Sequence, residues 1–128
     1  QHRYHKDGFE VLAFPSNQFG GQEPRTTEEV RKDMLDRYNV KFPIFDKVDV
    51  NGPSSAVIYK IIKENKEIRT SDLKKISWNF EKFLIDADGN PVRRYRPGIV
   101  PEDLEKDVSA LIQTGKVPPR VKATLNAF

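Results

Sequence analysis

The chain contains no cysteine, and only one methionine and one tryptophan among its 128 residues. Without cysteine these residues hold no disulfide framework, no zinc–thiolate centre and no thiol nucleophile. No apolar run approaches the roughly 18 residues of a membrane-spanning helix. The opening Gln1-His-Arg-Tyr-His-Lys6 has none of the apolar core of a secretory leader. Acid is absent beyond Asp107, where Lys116, Arg120 and Lys122 stand alone; before that point 19 basic and 19 acidic side chains cancel, so these three account for the formal charge of +3. Three charges spread over residues 108–128 do not make a nucleic-acid footprint. A solvated tail or a local protein contact is expected, with no nucleic-acid partner and no membrane span.

What is present suits one domain with an ordinary core: 37% hydrophobic, 32% charged. Phe9-Glu-Val-Leu-Ala-Phe14 predicts a buried strand stopped by Pro15. The paired glycines and bounding prolines of residues 15–24 make that stretch a loop. Thr26 and Glu29 form a capping-box pattern ahead of a helix with Val30, Met34, Leu35 and Tyr38 on one face. A second strand is expected over residues 42–50. A second helix follows, capped by Ser54 or Ser55, with an apolar face of Val57, Ile58, Ile61 and Ile62. After a charged connection, residues 78–86 and 91–95 read as strands of a hairpin turned at Asp88-Gly89-Asn90. Pro101 opens a last helix showing Leu104, Val108, Leu111 and Ile112, and Gly115 ends it. Strands alternating with amphipathic helices indicate an α/β layered domain. His2 and His5 are too few for a metal site, and Asp86-x-Asp88-Gly89 is too short for a calcium loop.

The loop Phe14-Pro-Ser-Asn-Gln-Phe-Gly-Gly-Gln-Glu-Pro24 and the downstream Trp78-Asn-Phe-Glu-Lys-Phe-Leu-Ile85 resemble signature segments of the glutathione peroxidase family. Tyr38-Asn-Val-Lys-Phe42, Val50-Asn-Gly52, Asp86-x-x-Gly89 and Val92-Arg-Arg-Tyr95 keep that family's order and spacing. The short link before Trp78 is similar to the phospholipid-hydroperoxide, monomer-type branch. The resemblance implies a thioredoxin-like three-layer sandwich over residues 1–113, followed by a basic, proline-containing tail over 114–128. It implies reduction of hydroperoxides, lipid hydroperoxides included, to alcohols, with glutathione or thioredoxin as reductant and no cofactor.

Carried over by motif, the catalytic donors are Gln22, Trp78 and Asn79. Amide and indole N–H groups are neutral donors able to stabilise a thiolate or selenolate and the oxygen that leaves it. Taken singly, a tryptophan among phenylalanines is core and an amide in a loop is turn chemistry; the two matched segments reverse that weighing. Arg93, Arg94, Lys74 and Lys75 are candidates for binding glutathione carboxylates or lipid phosphates, against the alternative of a solvated hairpin edge. The resemblance places the family's cysteine or selenocysteine nucleophile, and a central strand between residues 9–14 and the hairpin, upstream of Gln1. Activity is therefore expected only when an upstream segment or a partner chain completes the domain. The alternative is a catalytically dead peroxidase fold serving as an interaction subunit, which the extension past residue 112 would suit. A cytoplasmic or mitochondrial setting is expected.

Overall fold

The computed structural model describes residues 1–66, 68 and 75–119. Lys74, Arg120 and Lys122, singled out above, lie outside the described residues. A 3-10 turn over His5–Asp7 leads into the extended segment 9–14. The expected strand there is reduced to one parallel bridge, Ala13 to Ile44, made by Ala13 N–H to the Pro43 carbonyl (3.0 Å) and Phe45 N–H to the Ala13 carbonyl (2.8 Å). The second expected strand, 42–50, is likewise extended but irregular. Pairing stops after this bridge. Leu12 and Phe14 point their backbone groups away from 43–45 and meet no partner among the described residues, and prolines at 15 and 43 remove donors.

Helix α1, Thr27–Tyr38, begins as its sequence dictates. Thr26 Oγ1 accepts from Glu29 N–H (3.2 Å) while the Glu29 carboxylate accepts from Thr26 N–H (2.7 Å). Val30 is buried and Met34 half-buried, but Leu35 and Tyr38 stand exposed. The buried stripe is thus narrower than periodicity suggested, because nothing among the described residues covers its far end. Helix α2, Val57–Glu64, departs further. Its N-cap is Ala56, without a side-chain cap, and neither serine serves; the entry is instead tied by Ala56 N–H to the Asp49 carbonyl (2.9 Å). Val57, Ile58 and Ile61 face outward, and Ile62 alone of the expected face is buried. Tyr59 sets this rotation: its ring meets Phe14 edge-on at 5.6 Å and Phe83 at 6.3 Å, turning the Tyr59–Ile62 side inward.

Strands β1, Lys82–Ile85, and β2, Pro91–Tyr95, form the antiparallel hairpin, in register Lys82 with Tyr95 and Phe83 with Arg94, and with an irregularity after Leu84. Asp86 builds the turn by accepting from Asp88 N–H (3.0 Å) and Asn90 N–H (2.8 Å) on Oδ1. β1 starts four residues later than the sequence suggests, because Phe80 adopts a left-handed conformation (φ 64°) that a strand cannot accommodate. A 3-10 turn at Pro101–Leu104 precedes helix α3, Glu105–Thr114.

Among the described residues, two clusters of buried side chains organise the core. Leu84, Tyr95 and Val108 pack the hairpin on α3, joined by Tyr4, Phe9 and Val117. Asp107 ties the same layers, accepting from the Tyr95 hydroxyl (2.6 Å) and Arg93 Nε (3.2 Å). The start of the tail belongs to this layer, since Val117 packs on the cluster and the Pro118 carbonyl accepts from Arg93. The second cluster, Phe19, Val50 and Ile76, with Val48, Tyr59 and Phe83 around it, joins three loops and α2. Burying one such side chain contributes about 1.5–3 kcal/mol, and this small cluster underlies the site.

Candidate functional site

Three loops meet above Phe19, Val50 and Ile76, and two side-chain amides staple them. Gln18 Oε1 accepts from Val50 N–H (2.7 Å) and Asn51 N–H (3.0 Å), while Gln18 Nε2 donates to the Asn51 carbonyl (2.9 Å). Asn51 in turn donates to the Ile76 carbonyl (2.8 Å) and accepts Ile76 N–H (2.9 Å), pairing with that residue as a strand neighbour would. Loop 15–24 is thereby fixed to residues 50–51, and these to the segment entering Trp78. Neither amide was singled out from the sequence. The signal available was an amide beside each motif's aromatic or glycine, which is common in turns.

On this base, Asn79 Nδ2 donates to Gln22 Oε1 at 2.9 Å, joining two sequence-predicted site residues across 57 positions. Trp78, the third, leans on Phe19 with ring centroids 5.9 Å apart and planes tilted by 52°. The indole is still 47% exposed. Gly20 admits it: φ is 64°, and a Cβ at that position would stand 3.3 Å from Trp78 Cη2 and 3.5 Å from Gln22 Cγ. The Gln22 side-chain NH2 and the Trp78 indole N–H have no hydrogen-bond partner among the described residues. Neutral donors are therefore presented to solvent in one small area, with no acidic side chain bonded to them.

The turn carrying Trp78 and Asn79 is held at both ends. Phe80 is 81% exposed and left-handed, an arrangement costing about 1–2 kcal/mol for an L-residue. Lys82 Nζ offsets it by donating to the Phe80 carbonyl (2.5 Å) and the Ile99 carbonyl (2.7 Å). Burial lowers the Lys82 pKa, and lowers that of Lys63, where the Arg94 charge adds to the effect. Lys63 Nζ donates to the Val50 carbonyl at 2.6 Å. Burial also pushes the Tyr59 hydroxyl up to about 12.

Beside Trp78 opens a cleft of about 730 Å³, lined by Gln18, Phe19, Asn51, Lys63 and Lys75 among others. Lys75 is exposed there. The arginine candidates are placed differently. Arg93 is committed to Asp107 and the Pro118 carbonyl, and Arg94 to Glu81 and the Lys75 carbonyl. Among the described residues no group of three or more histidine or acidic side chains is placed to hold a metal ion. No helix among them is long and apolar enough to cross a membrane.

Comparison with known proteins matches residues 1–63 to the glutathione peroxidase family model. The chain is 51% identical over 110 residues to "Phospholipid hydroperoxide glutathione peroxidase 1, chloroplastic" of Arabidopsis thaliana, covering 86% of this chain and 46% of that protein. It is 50% identical over 110 residues to "Probable phospholipid hydroperoxide glutathione peroxidase 6, mitochondrial" of the same plant, covering 86% and 47%. The crystal structure of T. cruzi GPX1 superposes with a TM-score of 0.68 at 37% identity, covering 91% of this chain and 68% of that one. The α/β architecture is thus of the thioredoxin-like, peroxidase type. The chain spans about half the length of these two plant relatives.

Proposed function

The chain belongs to the glutathione peroxidase family, and on that footing we propose that Gln22, Trp78 and Asn79 are the donor half of a hydroperoxide-reducing site whose nucleophile is a cysteine or selenocysteine outside these 128 residues. The observation that carries the reading is the 2.9 Å bond from Asn79 to Gln22, which sets the amides side by side next to Trp78. In this chemistry a thiolate or selenolate attacks the terminal peroxide oxygen and the O–O bond breaks. The departing alkoxide takes up a proton and leaves as the alcohol, and the nucleophile is left as a sulfenic or selenenic acid. Neutral N–H donors favour the reactive anion by lowering its pKa, and hold the charge that develops on the leaving oxygen. Reduced thioredoxin, or a pair of glutathione thiols, then returns the nucleophile to its starting state with release of water and a disulfide.

Lys75, exposed on the cleft beside Trp78, is the basic candidate placed to meet a carboxylate of the reductant or a lipid phosphate; Arg93 and Arg94 act from within their ion pairs. The open setting of Trp78 suits bulky lipid hydroperoxides, which the relatives' names also mention. The relatives' names include a chloroplastic and a mitochondrial protein; for this chain a cytoplasmic or mitochondrial setting is the one proposed. The test is cumene hydroperoxide reduction by the native protein, coupled to NADPH through thioredoxin and its reductase or through glutathione and its reductase. Asn79→Ala or Trp78→Phe is expected to cost about 10²-fold in turnover, the loss typical of removing one such donor. Turnover unchanged by both substitutions would overturn the assignment, and no turnover at all in the native protein would favour an interaction subunit instead.

A further inference from the structure

We propose that Glu81 is the positioning residue of the Trp78–Asn79 turn, acting through a carboxylate that Arg94 holds in place. The Glu81 and Arg94 side chains are 3% and 8% exposed, the most enclosed ion pair among the described residues. Each carboxylate oxygen has its own task. One accepts from Arg94 Nε, and the other accepts from Ser77 N–H at 3.0 Å, with the Ser77 hydroxyl at 3.4 Å. The side chain thus reaches back over Trp78, Asn79 and Phe80 and closes the turn that contains them. Arg94 braces the same segment one step earlier, donating from Nη2 to the Lys75 carbonyl (3.0 Å) while its guanidinium lies 5.4 Å from the centre of the Phe83 ring.

Burial of an ion pair is weak ground for stability, because desolvation offsets most of the attraction. What a carboxylate supplies here that an apolar side chain does not is a pair of acceptors, one for the anchoring arginine and one for the backbone ahead of Trp78. With Phe80 held left-handed at the other end, the turn has little freedom. The directions of the Trp78 and Asn79 donors follow from it. Displacement of a working group by about 1 Å is enough to cost up to about 10²-fold in rate.

The role rests on the reading of Trp78 and Asn79 as working groups, so two measurements keep the claims apart. Trp78 is the sole tryptophan of these 128 residues, and acrylamide quenching of its native emission reports its setting with no peroxide chemistry involved. Glu81→Ala is expected to raise the quenching constant towards that of a free indole. Glu81→Gln, which keeps one oxygen for Ser77 but loses the charge opposite Arg94, should fall between. Val108→Ala, destabilising in the other core cluster, should leave the constant unchanged. Quenching equal to wild type in folded Glu81→Ala overturns the proposal; if that variant does not fold, wild-type quenching in Glu81→Gln does so. In the peroxide assay Glu81→Ala should lose about tenfold in turnover while Val108→Ala does not. Failure of the Asn79→Ala assay would instead strike the peroxidase reading and leave the quenching result standing.

Discussion

Replacing Gly20 by alanine tests the packing of the site with a built-in control at the next residue. Gly20 and Gly21 both have left-handed backbones, with φ of 64° and 58°. An added Cβ at Gly20 stands 3.3 Å from Trp78 Cη2, whereas at Gly21 it meets nothing within 4 Å. Either alanine incurs about 1–2 kcal/mol for the left-handed conformation. Each regains about 0.4–1 kcal/mol because the unfolded chain becomes less flexible. A net loss of roughly 0.5–1.5 kcal/mol follows in both, or about 0.3–1 M in the urea midpoint for a slope near 1.5 kcal/mol/M. Only Gly20→Ala must also move the indole by a few tenths of an ångström, against Phe19 beneath it. The assay is urea unfolding followed by Trp78 emission, with acrylamide quenching of the native state. Matched midpoint losses are expected, with altered native quenching in Gly20→Ala alone. Identical native quenching in the two variants, or no midpoint loss in Gly21→Ala, would refute the reasoning.

Thr26→Ala should cost about 1 kcal/mol by removing the capping box of α1, read as a lower thermal midpoint; an unchanged midpoint would mean that the cap contributes nothing. Asp33, Asp86, Glu29 and Glu105 are each held below their ordinary values of 3.8 or 4.5, chiefly by Arg25, by the Asn90 N–H, by the Thr26 N–H and by Arg3 respectively. A depressed folded-state pKa stabilises above the unfolded value and loses that contribution as pH falls through the folded one. The melting temperature should therefore drop from about pH 5 downwards, and a midpoint that rises between pH 5 and 3 would contradict this. Ile76→Ala, in the cluster beneath the site, should cost about 2–5 kcal/mol and loosen Trp78 as well, whereas a loss confined to stability would show that the stapled loops hold the turn alone.

Local chemistry made much of the fold legible in the sequence. The Thr26–Glu29 pair, the Asp86 turn and the ending of α3 at Gly115 are decided by neighbouring residues, and each is found where the pattern puts it. Helices α1 and α2 were legible as helices but not as faces. Which side of α2 turns inward is decided by the contacts of Tyr59 with Phe14 and Phe83, both remote in sequence. Segments 9–14 and 42–50 have strand composition, but prolines at 15 and 43 remove donors and pairing here is one bridge deep. The left-handed Phe80 was invisible because nothing in the residue type calls for that conformation. At the proposed site, motif matching points to Gln22, Trp78 and Asn79. The supporting Gln18, Asn51 and Glu81 act through backbone atoms of distant loops, and no spacing rule encodes such bonds.

The most direct test of the central claim is the intact mass and N-terminal sequence of the native protein, taken before and after exposure to hydroperoxide. A cysteine or selenocysteine peptide joined ahead of Gln1, gaining one oxygen on exposure and losing it with thiol, is the expected result. A native mass of 14.8 kDa that peroxide leaves unchanged would contradict it, and would make Gln22, Trp78 and Asn79 parts of a fold that no longer reduces peroxides.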